Sequence, residues 1–104
     1  MLYVDEVYAY ATGTYVPEGL FACITRGRSR GVGGIFATQR PALIPLVILS
    51  ESDVAYVFRL RLDQDRKRIR DTFGVSEGAQ LALRKYEFYV AAAGDVRGPY
   101  TLRL

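Results

Sequence analysis

Short apolar runs alternate with amphipathic or turn-rich stretches along the chain. Met1-Leu2-Tyr3-Val4 is apolar and stops at the acids Asp5-Glu6. The run is too short for a helix and predicts a buried strand. Residues 7–16 are mixed and broken at Thr12-Gly13-Thr14, which reads as a helical turn followed by a loop. Pro17-Glu18 predicts a helix start, because Pro suits the first turn and Glu the positive end of the helix dipole. Leu20, Phe21 and Ile24 lie at helical spacing on its apolar face. Arg26, Gly27, Arg28, Ser29 and Arg30 end it, with Gly31 as a C-terminal cap. Residues 33–38 predict a second buried strand running into Gln39-Arg40-Pro41.

Residues 43–50 predict a short helix and 54–60 a strand of branched and aromatic residues. A charged amphipathic helix follows over 63–73, closed by Gly74. A second helical stretch covers 75–84, with Leu81 and Leu83 as core candidates. Residues 87–92 predict a strand, 94–99 a turn region and 100–104 a final strand pairing with it as a hairpin. Strands alternating with helices predict an α/β fold: a mainly parallel sheet flanked by helices, with a C-terminal antiparallel edge hairpin.

Composition narrows the chemistry. The 104 residues form one small domain at most, and half are hydrophobic, so a packed core is expected. The formal charge of +3 permits contact with nucleic acid without requiring it. There is no histidine and a single cysteine, Cys23, expected to be a buried small hydrophobe. An intramolecular disulfide, a His-containing zinc site and Ser-His or Cys-His nucleophilic catalysis are excluded. No apolar run reaches membrane-spanning length and no basic segment precedes the first apolar run, so a cytoplasmic location is expected.

In such sheets ligands bind beyond the carboxyl ends of the strands, and two polar groups stand at predicted strand ends: Asp5-Glu6 and Thr38-Gln39-Arg40. Adjacent carboxylates at a sheet rim suit a nucleoside-triphosphate site. One supports Mg²⁺, mostly through its water shell; the other polarises the attacking water. A glutamine there can hydrogen-bond both the γ-phosphate and that water. The arginines 26, 28 and 30 suit transition-state charge neutralisation in a neighbouring subunit's site, or contact with DNA phosphates. Taken singly, each group is also what a solvated strand end, a strand-to-turn junction or a basic helix end looks like. The aromatic residues on strands, Tyr3, Phe36, Tyr56, Phe58, Phe88 and Tyr89, are expected to pack in the core, and 63–71 to be a solvated face with local ion pairs.

Order and spacing join these pieces. A strand ending Asp5-Glu6, a helix ending in the segment 27–31 (GRSRG) and a strand ending in 37–41 (ATQRP) resemble the FtsK–HerA superfamily of ring-forming DNA-pumping ATPases. The strand 54–60 followed by 63–66, and the late strand 86–90, resemble later elements of that family, so the resemblance covers nearly the whole chain. It implies a partial RecA-like P-loop NTPase core, from the Walker B strand onward. By position it assigns Asp5 to Mg²⁺, Glu6 to the general base, Gln39 to the γ-phosphate sensor and Arg28 to the finger reaching a neighbouring subunit, with Arg30 as second choice. It further implies ATP and Mg²⁺ as cofactors of the complete motor, with double-stranded DNA and ring neighbours as partners.

The pattern departs from the family in one respect. No G-x-x-x-x-G-K-S/T segment occurs, and the glycine-rich stretch 27–34 has no lysine and precedes a strand rather than a helix. The family carries its phosphate cradle in a half preceding Walker B. These residues alone are therefore expected to bind ATP poorly and to be inactive, with a separate N-terminal half as a partner. A second reading is a non-catalytic interaction module that completes a sheet with a partner chain. A DNA-binding domain unrelated to ATPases is disfavoured, because no helix-turn-helix or zinc pattern appears.

Overall fold

In the computed structural model the described residues are 2–4 and 34–103. The expected helix from Pro17, its arginine-rich end and Cys23 lie outside them. The chain divides into two compact units, Met1–Glu51 and Ser52–Leu104.

In the first unit, β1 (Leu2–Val4) pairs in parallel with β2 (Gly34–Phe36), Val4 opposite Phe36. Beyond β2 the helix expected over 43–50 starts later and is preceded by a separate turn. A 3₁₀ turn spans Pro41–Leu43 and helix α1 spans Leu46–Ser50. Pro45 causes the break: the residue before a proline is driven out of the helical region, and Ile44 is extended at φ −96°, ψ 154°. Pro41, Ile44, Ile48 and Leu49 are buried and anchor this segment.

The second unit holds β3 (Val54–Phe58), α2 (Asp63–Phe73), α3 (Glu77–Leu81), β4 (Glu87–Ala92) and β5 (Asp95–Thr101), in the sheet order β3-β4-β5. Helix α2 has the predicted bounds. Gly74 closes it in the left-handed conformation, φ 79°, with its N–H on the Arg70 carbonyl at 3.0 Å. Helix α3 is one turn rather than the ten residues expected. Ser76 caps it, its Oγ accepting the Ala79 N–H at 3.1 Å. Leu83 is buried as expected, but Leu81 is 50% exposed; the position facing inward on this turn is Gln80, fully buried.

The three-stranded sheet is antiparallel throughout, and among the described strands parallel pairing is confined to β1 and β2. The expectation of a mainly parallel sheet fails in this unit for a physical reason. A single crossover helix carries a chain the length of the sheet, so the next strand runs parallel. Here the chain leaves at Phe58 and re-enters beside it at Phe88, because two packed helices in series return it to the end it left. The hairpin turn is the pair Ala93-Gly94, with φ 52° and 77°, so β5 begins at Asp95, well before the expected 100. The expected turn over 94–99 is instead a strand with a bulge: Tyr89 faces both Gly98 and Pro99, between the pairs Phe88↔Tyr100 and Val90↔Arg97.

Val57, Ile69, Val75 and Ala91 form the core of this unit, with Ala55, Leu60, Phe73, Ala79, Tyr89 and Val96 packed against it. Strand alternation sends Val54, Tyr56, Phe58, Phe88 and Tyr100 to the opposite face. Their rings form a row: Phe88 lies 6.1 Å from Tyr56, 5.0 Å from Phe58 and 5.8 Å from Tyr100 between centroids. Tyr56 is 66% exposed and Phe58 and Tyr100 nearly half, so the expected core placement of Tyr56 and Phe58 is corrected.

Candidate functional site

Two of the groups predicted from sequence to form a site adjoin, along the chain, the ends of β1 and β2. Parallel pairing in the register Val4↔Phe36 makes both strands end on the same side of the pair. Asp5 and Glu6 directly follow Val4, and Ala37, Thr38 and Gln39 directly follow Phe36. Asp5, Glu6, Arg28 and Arg30 themselves lie outside the described residues. Gln39 is described, and its surroundings explain how it is held. The Arg40 N–H donates to Thr38 Oγ1 at 3.0 Å, a tight side-chain turn with Gln39 at its apex. The Leu43 N–H then donates to the Arg40 carbonyl at 3.0 Å, opening the 3₁₀ turn over the buried Pro41. Gln39 is thus exposed at the tip of a short loop braced on both sides. An amide in that position has free donors and acceptors for a polar ligand. Among the described residues no cluster of three or more His, Cys, Asp or Glu side chains could hold a metal ion.

A second polar region, which motif reading did not single out, lies in the unit 52–104. Arg59, Leu60, Arg61, Arg66 and Leu81 line an open groove of about 550 Å³. Arg66 is a fixed wall, its side chain 12% exposed. One terminal nitrogen donates to the Leu60 carbonyl at 3.0 Å, the other to Asp63 Oδ1 at 2.9 Å, and its Nε is buried without a partner. Arg59 and Arg61 are exposed. The sequence signal was the alternation Arg-Leu-Arg at the end of a strand, but only the fold adds Arg66 and Leu81.

The ion pairs expected on α2 are present: Arg66 with Asp63, and Arg70 with both Asp71 and Glu77 at 2.9 Å. Hydrogen bonding to Asp71 and its charge, helped by Glu77, raise the Arg70 pKa, and Asp95 does the same for Arg97. Asp65, on the same helix, is buried rather than solvated. Among the described residues Gln80 is the other buried polar residue, donating from Nε2 to the carbonyls of Arg66 and Val75 at 2.9 Å each. It ties α2 to the turn before α3.

A parallel pair of strands, helices and a three-stranded antiparallel sheet make this an α/β fold. Solved structures share this fold. The chain is similar to the genome-packaging NTPase B204 of Sulfolobus turreted icosahedral virus 2 in its AMP complex, with a TM-score of 0.82 and 20% identity over 98% of this chain. It is likewise similar to the complex with ATP-γS, at a TM-score of 0.77, 20% identity and 95% coverage. A crystal structure described as the DNA-packaging ATPase B204 from Sulfolobus turreted icosahedral virus gives 0.82, 20% and 98%. In each case the chain spans 52% of the neighbour's length. This fold-level likeness to about half of a packaging ATPase fits the resemblance to the C-terminal half of an FtsK–HerA ATPase. No protein-family model matches the sequence, and no curated protein matches it significantly. No helix among the described residues is long and apolar enough to cross a membrane.

Proposed function

We propose that this chain is the Walker B and sensor portion of a ring-forming ATPase that moves double-stranded DNA, of the kind used in genome packaging. The observation that carries the reading is the parallel register Val4↔Phe36, which makes the acid-bearing and glutamine-bearing segments leave one sheet at one end. The packaging-ATPase fold of the neighbours supports it. In this reading Asp5 holds Mg²⁺ through its water shell, Glu6 takes the proton of the attacking water, and Gln39 bonds the γ-phosphate. Arg28, with Arg30 as the alternative, reaches into a neighbouring subunit. The phosphate cradle comes from outside these 104 residues, so ATP binding and hydrolysis belong to the assembly that supplies it.

The test uses Glu6→Cys and Gln39→Cys together in a Cys23→Ser background. Neighbouring strands lie about 4.8 Å apart, so a short bifunctional maleimide should join the two thiols within one molecule. Folded protein in which the thiols label singly but never join would end the proposal. In parallel, calorimetry of Mg-ATP with the chain alone should give no specific heat. Stoichiometric binding would show that these residues hold a nucleotide without the cradle.

A second reading is favoured by the exposed Tyr56, Phe58 and Tyr100 ranged around the half-buried Phe88. A soluble domain seldom leaves such a face open, so it marks a surface for contact with another polypeptide. The two readings are compatible within a ring.

A further inference from the structure

We propose that the groove of Arg59, Arg61 and Arg66 binds the phosphodiester backbone of a nucleic acid. The choice of nucleic acid over another polyanion rests on the motor reading; the site itself rests on geometry. Three arginines line one groove, and among the described residues the only carboxylate paired with any of them is Asp63, whose side chain is 88% exposed and pairs with Arg66 alone. Arg59 and Arg61 have no ion pair or hydrogen bond from their side chains among the described residues, so two full charges face the groove uncompensated.

Arg66 adds a third guanidinium, paired with Asp63, that cannot swing away because Asp63 and the Leu60 carbonyl hold its fork. A guanidinium fixed in this way meets an anion with little further loss of side-chain freedom. Planar forks match phosphate oxygens in pairs, and arginine serves this purpose better than lysine. The remaining walls are Leu60 and the half-exposed Leu81. An apolar wall beside cations suits a sugar-phosphate chain, whose charges alternate with uncharged sugar. The groove is open rather than enclosed, which suits a polymer passing along it better than a small anion.

Neutralising phosphates releases counterions, so each lost contact should flatten the salt dependence of binding by about 0.9 in the log-log slope. The test is fluorescence anisotropy of the full chain with a labelled duplex between low and moderate salt. Arg59→Ala with Arg61→Ala should weaken binding on the order of tenfold and flatten the slope by about 1.8. Arg59→Glu with Arg61→Glu should weaken it further. The control Arg84→Ala with Arg103→Ala removes the same charge from two other exposed positions and should change the slope by clearly less.

Arg66 is left alone because it also braces Leu60 and Asp63. Equal losses from the groove pair and the control pair would mean a diffuse basic surface and overturn the proposal. Unchanged binding in the groove variants would do the same while leaving the motor reading intact, as would a wild-type chain that retains no duplex. Inorganic phosphate and ATP are run as competitors. Displacement by ATP far below the phosphate concentration needed would assign the groove to a free nucleotide and overturn the backbone assignment.

Discussion

Gly98 is the position where a single added carbon should do the most measurable damage. It sits in the β4–β5 bulge with φ at 125°, a conformation that L side chains rarely adopt. A Cβ there would stand 3.0 Å from the Phe88 carbonyl oxygen, 3.2 Å from the Tyr100 nitrogen and 3.2 Å from Tyr89 Cδ1. Two of these atoms are backbone held by the sheet, and the Tyr89 ring packs against the core, so none gives way easily. The conformational term costs about 1–3 kcal/mol, and crowding adds about 1–3 kcal/mol. The sum, about 2–6 kcal/mol, is a large part of the roughly 5–15 kcal/mol that holds a domain together. Even the lower figure should drop the melting temperature by about 8–16 °C in a domain of this size. The assay is thermal and urea unfolding followed by circular dichroism, with two glycine controls. Gly94→Ala shares a positive φ, 77°, but meets nothing within 4 Å, so it should cost only about 1–2 kcal/mol. Gly78→Ala lies in α3 with open space around it and should gain about 0.5–1 kcal/mol. A Gly98→Ala protein melting within about 2 °C of the parent, or less destabilised than Gly94→Ala, would refute the reasoning.

Three further outcomes are expected. Gln80→Glu replaces two buried donations with a carboxyl facing the carbonyls of Arg66 and Val75, and as a carboxylate it should cost about 3–5 kcal/mol. Burial raises the introduced group's pKa above its unfolded value of about 4.3, so the loss is least below that pH and grows as pH rises through the folded pKa. Urea midpoints at acid and neutral pH read the trend, and a midpoint that instead rises with pH would mean the Arg66 guanidinium pairs with the new carboxylate. Ser76→Ala removes the cap on the Ala79 N–H and should cost about 1 kcal/mol by urea titration, whereas Ser76→Asp should keep most of it. Thr38→Val removes the bond from the Arg40 N–H at a half-exposed site and should cost about 0.5–1.5 kcal/mol. If that bond braces Gln39, Thr38→Val should also lower the cross-linking yield between cysteines at 6 and 39.

Much of the fold could be read from the residues because local chemistry decided it. Helix α2 matched from Asp63 to Phe73 because its acidic first turn and Gly74 are independent end signals that agree. Strands β3 and β4 were visible as branched and aromatic runs. Errors arose where the deciding interaction lies far along the chain. Ala93-Gly94 is a weak turn signal beside Gly98-Pro99, yet the short pair makes the hairpin and the proline falls in a bulge. Leu81 has the right character for the core, but Gln80 takes the interior, donating to the carbonyls of Arg66 and Val75, and no local pattern announces those bonds. The direction of β3 against β4 was hidden for a similar reason. It depends on two short helices packing against one another, not on the composition of either strand.

The two candidate sites differ in what made them legible. Asp5-Glu6 and Thr38-Gln39 each follow an apolar run, so the sequence supplied both groups and the idea of a shared rim. The pairing Leu2↔Gly34 to Val4↔Phe36 then supplies what sequence could only suppose: that the two runs are neighbours and point the same way. The arginine groove runs the other way. Arg59 and Arg61 are ordinary surface residues until α2 folds back and the Leu60 carbonyl captures Arg66, separated from it by six positions. That bond turns a mobile cation into a wall, and concentrated positive charge appears only once it forms. A replacement that frees Arg66 without removing its charge, such as Asp63→Asn, therefore separates orientation from net charge. If the groove acts through a fixed guanidinium, Asp63→Asn should strengthen duplex binding less than its gain of one positive charge implies. If only net charge matters, the variant should bind more tightly, with a salt slope steeper by about 0.9.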